Sequence, residues 1–344
     1  MMDAARSLLQ RLIQPQWSLL ARQPAPVRTA GGPVWQDDFD RVAEMPRTFA
    51  LPVRGRLAGL LGGQADEYWL DTSLEAVRQR LMSMFKAKAR LLLAGPEEPF
   101  SLQRMQAWGW LVDRLPNGMQ VPTADDILEY WQADTALVWL QTPSLASGRG
   151  VTLQEVEALC AHLRDFSLVL VDFSLMPPED WPRWHGLKER HPNLLLLGGF
   201  AHGWNLPGLG MVYLRADTGL IRLLEGVWPE VQTGHGQAQT AMDWITRDHY
   251  RRVCLHGQRI RQRAQDWVER WRSLPTVEIV HAAQAPFIYL RAVRPAALRS
   301  KLAAGGQGWF EPPEPMTGQP GWLALSMEDE TLLQQVDRWL RDGP

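Results

Sequence analysis

Cysteine is scarce in this chain. Its 344 residues contain only Cys160 and Cys254, far apart and without the spacing of a metal knuckle. Both fall in helix-like segments and read as small buried apolar residues, so a reducing cytoplasm is the expected location. Charge of one sign is lacking as well. Lys and Arg total 36 against 38 Asp and Glu, a net charge of -2, and without a basic excess there is no electrostatic case for nucleic acid. No run of eighteen apolar residues occurs, which excludes a membrane-spanning helix. His185, His191, His235 and His249 share no ligand spacing such as His-x-x-x-His, so no metal is expected. Ser144 and Ser174 lack the context of a nucleophile elbow. Tyrosine is rare, five residues against 17 tryptophans. Most of those indoles belong in a core, and the surplus provides material for a contact surface.

What is present suits a globular protein with a large and a small domain: 45% hydrophobic and 22% charged residues. Residues 1–34 read as an arm and linker. Leu8, Leu9, Leu12, Ile13 and Leu19 recur at roughly helical spacing between arginines, without a signal-peptide cleavage site. The spacing predicts an arm packed on the body or on a partner subunit, with a membrane-surface helix as the other option. Gln23 to Pro33 is Pro- and Gly-rich.

Residues 35–245 read as one large domain. Helical spacing runs from Leu74 to Lys86 and from Ser101 to Val112. Thr152 to Leu163 is a helix with Thr152 as N-cap and Glu155 as its capping-box partner. Short apolar runs at Arg90–Ala94, Thr135–Leu140, Ser167–Val171, Asn193–Leu197 and Leu209–Leu214 alternate with the helices. Continuous apolar strands of this kind predict a parallel sheet covered on both faces. Residues 246–344 begin with a long charged helix, Asp248 to Leu274. Strands at Thr276–Val280, Phe287–Leu290 and Trp322–Ser326 follow, with helices at Pro295–Ala303 and Asp329–Arg341, a small α/β domain. Gly305 to Gly321, with four prolines and five glycines, reads as an irregular loop.

Several pieces occur in a telling order. Gly95-Pro96-Glu97-Glu98 follows a strand. Thr142-Pro143 leads to Ser147-Gly148, and Asp172 closes the strand SLVLV. Phe200-Ala201-His202-Gly203 runs on to Pro207-Gly208-Leu209-Gly210, and Val231 to Ala241 is a Gln-rich helix entry. In these pieces the chain, from Tyr68 to its C-terminus, resembles the class I/II aminotransferases of pyridoxal-phosphate fold type I. The likeness is to their histidinol-phosphate aminotransferase and threonine-phosphate decarboxylase branch. Thr29 to Trp35 (TAGGPVW) is faintly similar to the start of the latter. The resemblance implies a central, mainly parallel sheet with helices on both faces and a small C-terminal α/β domain. It also implies Gly95 and Glu97 at the turn that holds the cofactor phosphate, Asp172 facing the pyridine nitrogen, and a site built between two subunits.

The same alignment puts His202 where the family has its Schiff-base lysine. The family's phosphate-binding Ser and Arg fall at Ala201 and Gly210, its ring-hydroxyl Asn at Leu145, its Tyr at Leu175, and its carboxylate-binding Arg at Ala324. Pro96 removes one backbone donor from the phosphate turn. Only Lys86, Lys88, Lys188 and Lys301 exist in the chain, and none stands in the required loop. The expectation is therefore an aminotransferase-like protein that holds no cofactor and acts as a non-catalytic or regulatory partner. It would form a homodimer, or a heterodimer with an active relative. The alternative is a lysine-free enzyme of amino-acid or cobalamin-related metabolism. It would bind pyridoxal or pyridoxamine phosphate non-covalently, with His202 as its base. Without either role, Asp172 is a cap or turn residue and His202 a loop histidine.

Overall fold

Strands buried on both faces need helices on both faces, and the chain builds that arrangement. A computed structural model describes residues 8, 9, 11, 12, 51–95, 99–115, 120–206, 209–228, 235–282, 284–305, 308–312 and 320–342. Seven strands form the larger sheet: β1 (Tyr68–Asp71), β2 (Arg90–Ala94), β3 (Leu111–Arg114), β4 (Thr135–Gln141), β5 (Leu168–Asp172), β6 (Leu194–Gly199) and β7 (Val212–Arg215). Their order is β1-β7-β6-β5-β4-β2-β3. β7 runs antiparallel to both neighbours, and the pairs from β6 across to β3 are parallel. Ala94, Gln141, Asp172 and Gly199 therefore end their strands on one edge.

Alternation divides the core in two. Val169 and Val171 of β5 face one apolar cluster, Leu168 and Leu170 the other. The first cluster receives α1 (residues 51–61), α4 (Ala124–Tyr130), α5 (Leu153–His162) and α6 (Trp181–Arg190). The second receives α2 (Leu74–Met84), Met105 of α3 (Pro99–Ala107) and α7 (Thr218–Val227). Leu8 and Leu9 are helical and 3% and 6% exposed within this second cluster. Arg11 donates to the carbonyls of Asp165 and Phe166. The described part of the arm thus packs on the body; the rest of it, the linker and Thr29–Trp35 lie outside the described residues.

α8 (His235–Trp244) leads into α9 (Arg247–Arg272), a helix of 26 residues. The first half of α9 meets the large sheet's loops. The Tyr250 hydroxyl donates to the Pro178 carbonyl at 2.7 Å, and the His249 ring donates to the Trp204 carbonyl at 2.8 Å. Its second half supplies Ile260, Ala264, Trp267, Val268 and Trp271 to a separate core. That core lies under an antiparallel sheet of β8 (Val277–Ala282), β9 (Phe287–Ala292), β10 (Trp309–Phe310) and β11 (Trp322–Ser326), ordered β10-β11-β9-β8. α10 (Pro295–Gly305) and α11 (Glu330–Asp342) complete it.

Four expectations change. The helix expected over Ser101–Val112 stops at Ala107, because Gly109 (φ 87°) turns the chain and Leu111 and Val112 pair with β2. The strand expected from Leu209 begins at Val212, after Gly210 at φ 66°. The Thr152 hydroxyl caps α5, but the Glu155 carboxylate accepts from Ala124 N at 2.6 Å instead of closing a box; the complete capping box is Thr123 with Asp126. Cys160 is buried, whereas Cys254 is only half-buried on the charged α9. Among the described residues no helix is long and apolar enough to cross a membrane.

Candidate functional site

In a parallel sheet the loops that bear chemistry gather at the carboxyl ends of the strands. Gly95 follows β2 there with φ 143° and open space where a Cβ would stand, a conformation that favours glycine. Glu97, its expected companion, lies outside the described residues.

Asp172 closes β5 and is 1% exposed. One carboxylate oxygen accepts from Ser174 N at 3.0 Å, an Asx turn that holds the strand's exit. The other, Oδ2, is buried and has no hydrogen-bond partner among the described residues. By alternation the side chain faces the α2 layer, as Leu168 and Leu170 do. There the buried guanidinium of Arg78, on α2, lies 5.0 Å from the ring centre of Trp139 on β4. Burial pushes the Asp172 carboxyl above its ordinary range, against the charge of Arg78 and the bonds from Ser174.

His202 occupies the loop after β6. Phe200 and Trp204 anchor that loop in the apolar cluster on the opposite face. A Cβ on Gly203 would collide with the Trp181 indole, so the backbone lies directly on that ring. Pinned this way, the loop turns His202 outward, exposed, with its ring edge-on to Phe287 at 6.5 Å. It lines a cavity of about 70 Å³ together with Leu175, His256, Arg261, Gln284 and Glu328. Asp172 is not part of that lining. The structure brings both predicted residues to one edge, on adjacent strands, and separates their side chains.

The remaining positions explain the narrowness. Gly148 (φ 66°) accepts through its carbonyl from Gln284 N at 2.9 Å and Ala285 N at 3.2 Å. The Tyr289 hydroxyl donates to the Leu145 carbonyl at 2.6 Å, and the His281 ring donates to the Ser147 carbonyl at 2.9 Å. The β8–β9 hairpin is thereby stitched to the loop that follows β4. Ala324 is buried opposite Tyr289 on β11, and Gly210 adopts a left-handed φ of 66° that an arginine would strain. Arg78, Tyr289 and Glu328 were not anticipated. No local signal marks them, since each acquires its surroundings from residues distant in sequence.

All four lysines stand elsewhere. Lys86 and Lys88 lie between α2 and the start of β2, at the far edge of the sheet, and Lys301 is on α10. Lys188, on α6, is 6% exposed and donates to the carbonyls of His191 and Pro192 at 3.5 and 3.4 Å. Among the described residues no cluster of His, Cys, Asp and Glu could hold a metal.

Pyridoxal phosphate, which the fold implies, needs a primary amine, a phosphate cup and room for a ring. Asp172 Oδ2 suits the ring nitrogen. Among the described residues the amine is missing, since the loop offers an imidazole, and Ala201 and Gly210 offer no side-chain ligand for a phosphate. The residues present do not fit a covalently held cofactor.

No family model matches the chain. In sequence it is similar to a histidinol-phosphate aminotransferase of Staphylococcus carnosus, 27% identical over 185 residues, 53% of this chain and 51% of the relative. The chain thus matches about half the length of such curated relatives. In structure it is similar to the histidinol-phosphate aminotransferase from Clostridium acetobutylicum (TM-score 0.72, 12% identity, 92% of this chain and 97% of the other). It is also similar to L-threonine-O-3-phosphate decarboxylase from Porphyromonas gingivalis (TM-score 0.62, 17% identity, 92% and 99%). At such identities the structural likeness establishes the fold.

Proposed function

We propose that the chain, whose fold is that of the pyridoxal-phosphate fold-type-I aminotransferases, is a non-catalytic aminotransferase-like protein acting as a binding or regulatory partner. The observation that carries this reading is the position of the amines. The loop after β6 presents His202, and Lys86, Lys88, Lys188 and Lys301 all lie away from that edge. An imidazole does not form a stable imine with an aldehyde, so the covalent chemistry of the fold has no starting point here. The closed hairpin and the small cavity add to it.

The partner is a second copy or an active relative. The exposed Trp108 and Trp244 supply aromatic contact material, and an obligate interface would bury upwards of roughly 2,000 Å². The unpartnered Asp172 Oδ2 favours a second reading, in which pyridoxal or pyridoxamine phosphate binds without a covalent bond.

One preparation tests these readings. The protein is mixed with pyridoxal phosphate, its absorbance recorded, and the sample treated with borohydride and digested for mass spectrometry. A colourless protein with no reduced adduct on any lysine is expected, together with a dimeric mass by light scattering. An adduct at one lysine in stoichiometric yield overturns the non-catalytic reading. Tight but non-reducible cofactor binding establishes the second reading in its place.

A further inference from the structure

At the far end of β9 from the His202 cavity, the smaller domain holds a cavity of about 430 Å³. β9 has six residues, which separates the two places by roughly 20 Å. The buried floor is Leu298 of α10, Leu340 of α11 and Ala292 of β9, and the half-buried Trp339 forms a wall. Val293, at the rim, is 58% exposed. Two cations complete it: Arg294, just before α10, and Lys301, three residues beyond Leu298 and so on the same helix face.

These cations are arranged unlike their neighbours. Arg299 on α10 pairs with Glu311 at 2.7 Å, and Arg263 of α9 with Glu330 at 3.2 Å. Among the described residues neither Arg294 nor Lys301 has a carboxylate within ion-pair distance. α10 also begins at Pro295 beside the cavity, so the positive end of its dipole adds to their field. On the opposite wall the Leu340 carbonyl is already engaged by the Thr276 hydroxyl at 2.7 Å.

We propose that this cavity binds a small organic anion. An aromatic or branched aliphatic body would lie against Leu298, Leu340 and Trp339, and a single anionic group between Arg294 and Lys301. The volume is that of a site for a small-molecule ligand, and few polar groups around an apolar floor is the usual composition of one. Arg294 is exposed and Lys301 half-buried, so a carboxylate, sulfonate or phosphate ester reaches both cations from solvent and gains charge-assisted hydrogen bonds from each, while the body covers exposed apolar surface. The proposal does not depend on the state of the His202 edge.

The probe is 8-anilinonaphthalene-1-sulfonate, which combines an aromatic body with one anionic group, titrated by fluorescence into the full chain. Three variants accompany it: Lys301→Glu reverses one cation, Ala297→Trp fills the cavity, and Lys86→Glu makes the same charge change elsewhere. Circular dichroism verifies the fold of each. Saturable binding at one site is expected, weakened at least about tenfold by Lys301→Glu and by Ala297→Trp, weakened by salt, and unchanged by Lys86→Glu. Absence of a saturable component, or equal binding by all folded variants, overturns the proposal.

Discussion

Lys188 provides a quantitative test of how the large domain is packed. The residue is 6% exposed and lies between α6 and the start of β6, with two long bonds to carbonyls and, among the described residues, no carboxylate within ion-pair distance. Burial pushes its pKa down from 10.5 to about 8, against the attraction of Asp217. At about 1.4 kcal/mol for each tenfold change in proton affinity, the displacement corresponds to about 3 kcal/mol. Because the folded pKa is depressed, this stability is present above the unfolded value and lost as pH falls through about 8. At pH 7 the fold carries the full cost of the buried charge. Lys188→Met removes that cost and forfeits two weak hydrogen bonds worth about 1 kcal/mol together. The variant should be more stable by about 2 kcal/mol at pH 7, or roughly 3 °C in Tm for a chain of this length. Calorimetry of both proteins at pH 7, 8, 9 and 10 checks the sign, since the difference in Tm should shrink as wild-type Lys188 loses its proton. A difference independent of pH, or a variant less stable throughout, refutes the reasoning.

Asp172→Asn should behave in the reverse sense. Burial raises the Asp172 pKa, so folding is opposed increasingly as pH rises through that value, and the neutral amide should give a higher Tm near pH 7 with an advantage that fades toward acid. Gly203→Ala should cost about 1–3 kcal/mol in urea unfolding, because the new methyl collides with Trp181 in a filled core; an unchanged midpoint would mean that the His202 loop is not pinned as described.

The parts legible in the sequence are those whose environment is uniform along the segment. NLLLL, SLVLV and TALVWL are buried on both faces, so every position is apolar and the strand is visible without its neighbours. β3 is an edge strand whose ends are exposed, and it carries too little apolar signal to outweigh the preceding helix. Asp172 could be located because a carboxylate ending such a strand leaves the sheet at its ligand-bearing edge. Arg78 could not be, since an arginine on an amphipathic helix resembles a solvated one until Trp139, sixty-one positions later, covers it. The same holds for Lys188, whose neighbours in sequence are Glu189 and Arg190 on a helix end.

Fold and site are separable here because different residues support them. Positions 145, 201, 202 and 210, where the resemblance places four of the site's departures, contribute to none of the apolar clusters that hold the sheet to its helices. Their identity therefore costs the core little, and the seven-stranded sheet does not depend on which side chains stand at that edge. Some of what stands there now closes the cleft. The carbonyls of Leu145, Ser147 and Gly148 all accept from the β8–β9 hairpin. Each bond occupies a polar group that a ligand in the cleft would otherwise solvate, and together they fix the hairpin against the large domain without one. Three backbone acceptors on the loop after β4 thus hold the β8–β9 hairpin in place beside the edge where Asp172 and His202 stand.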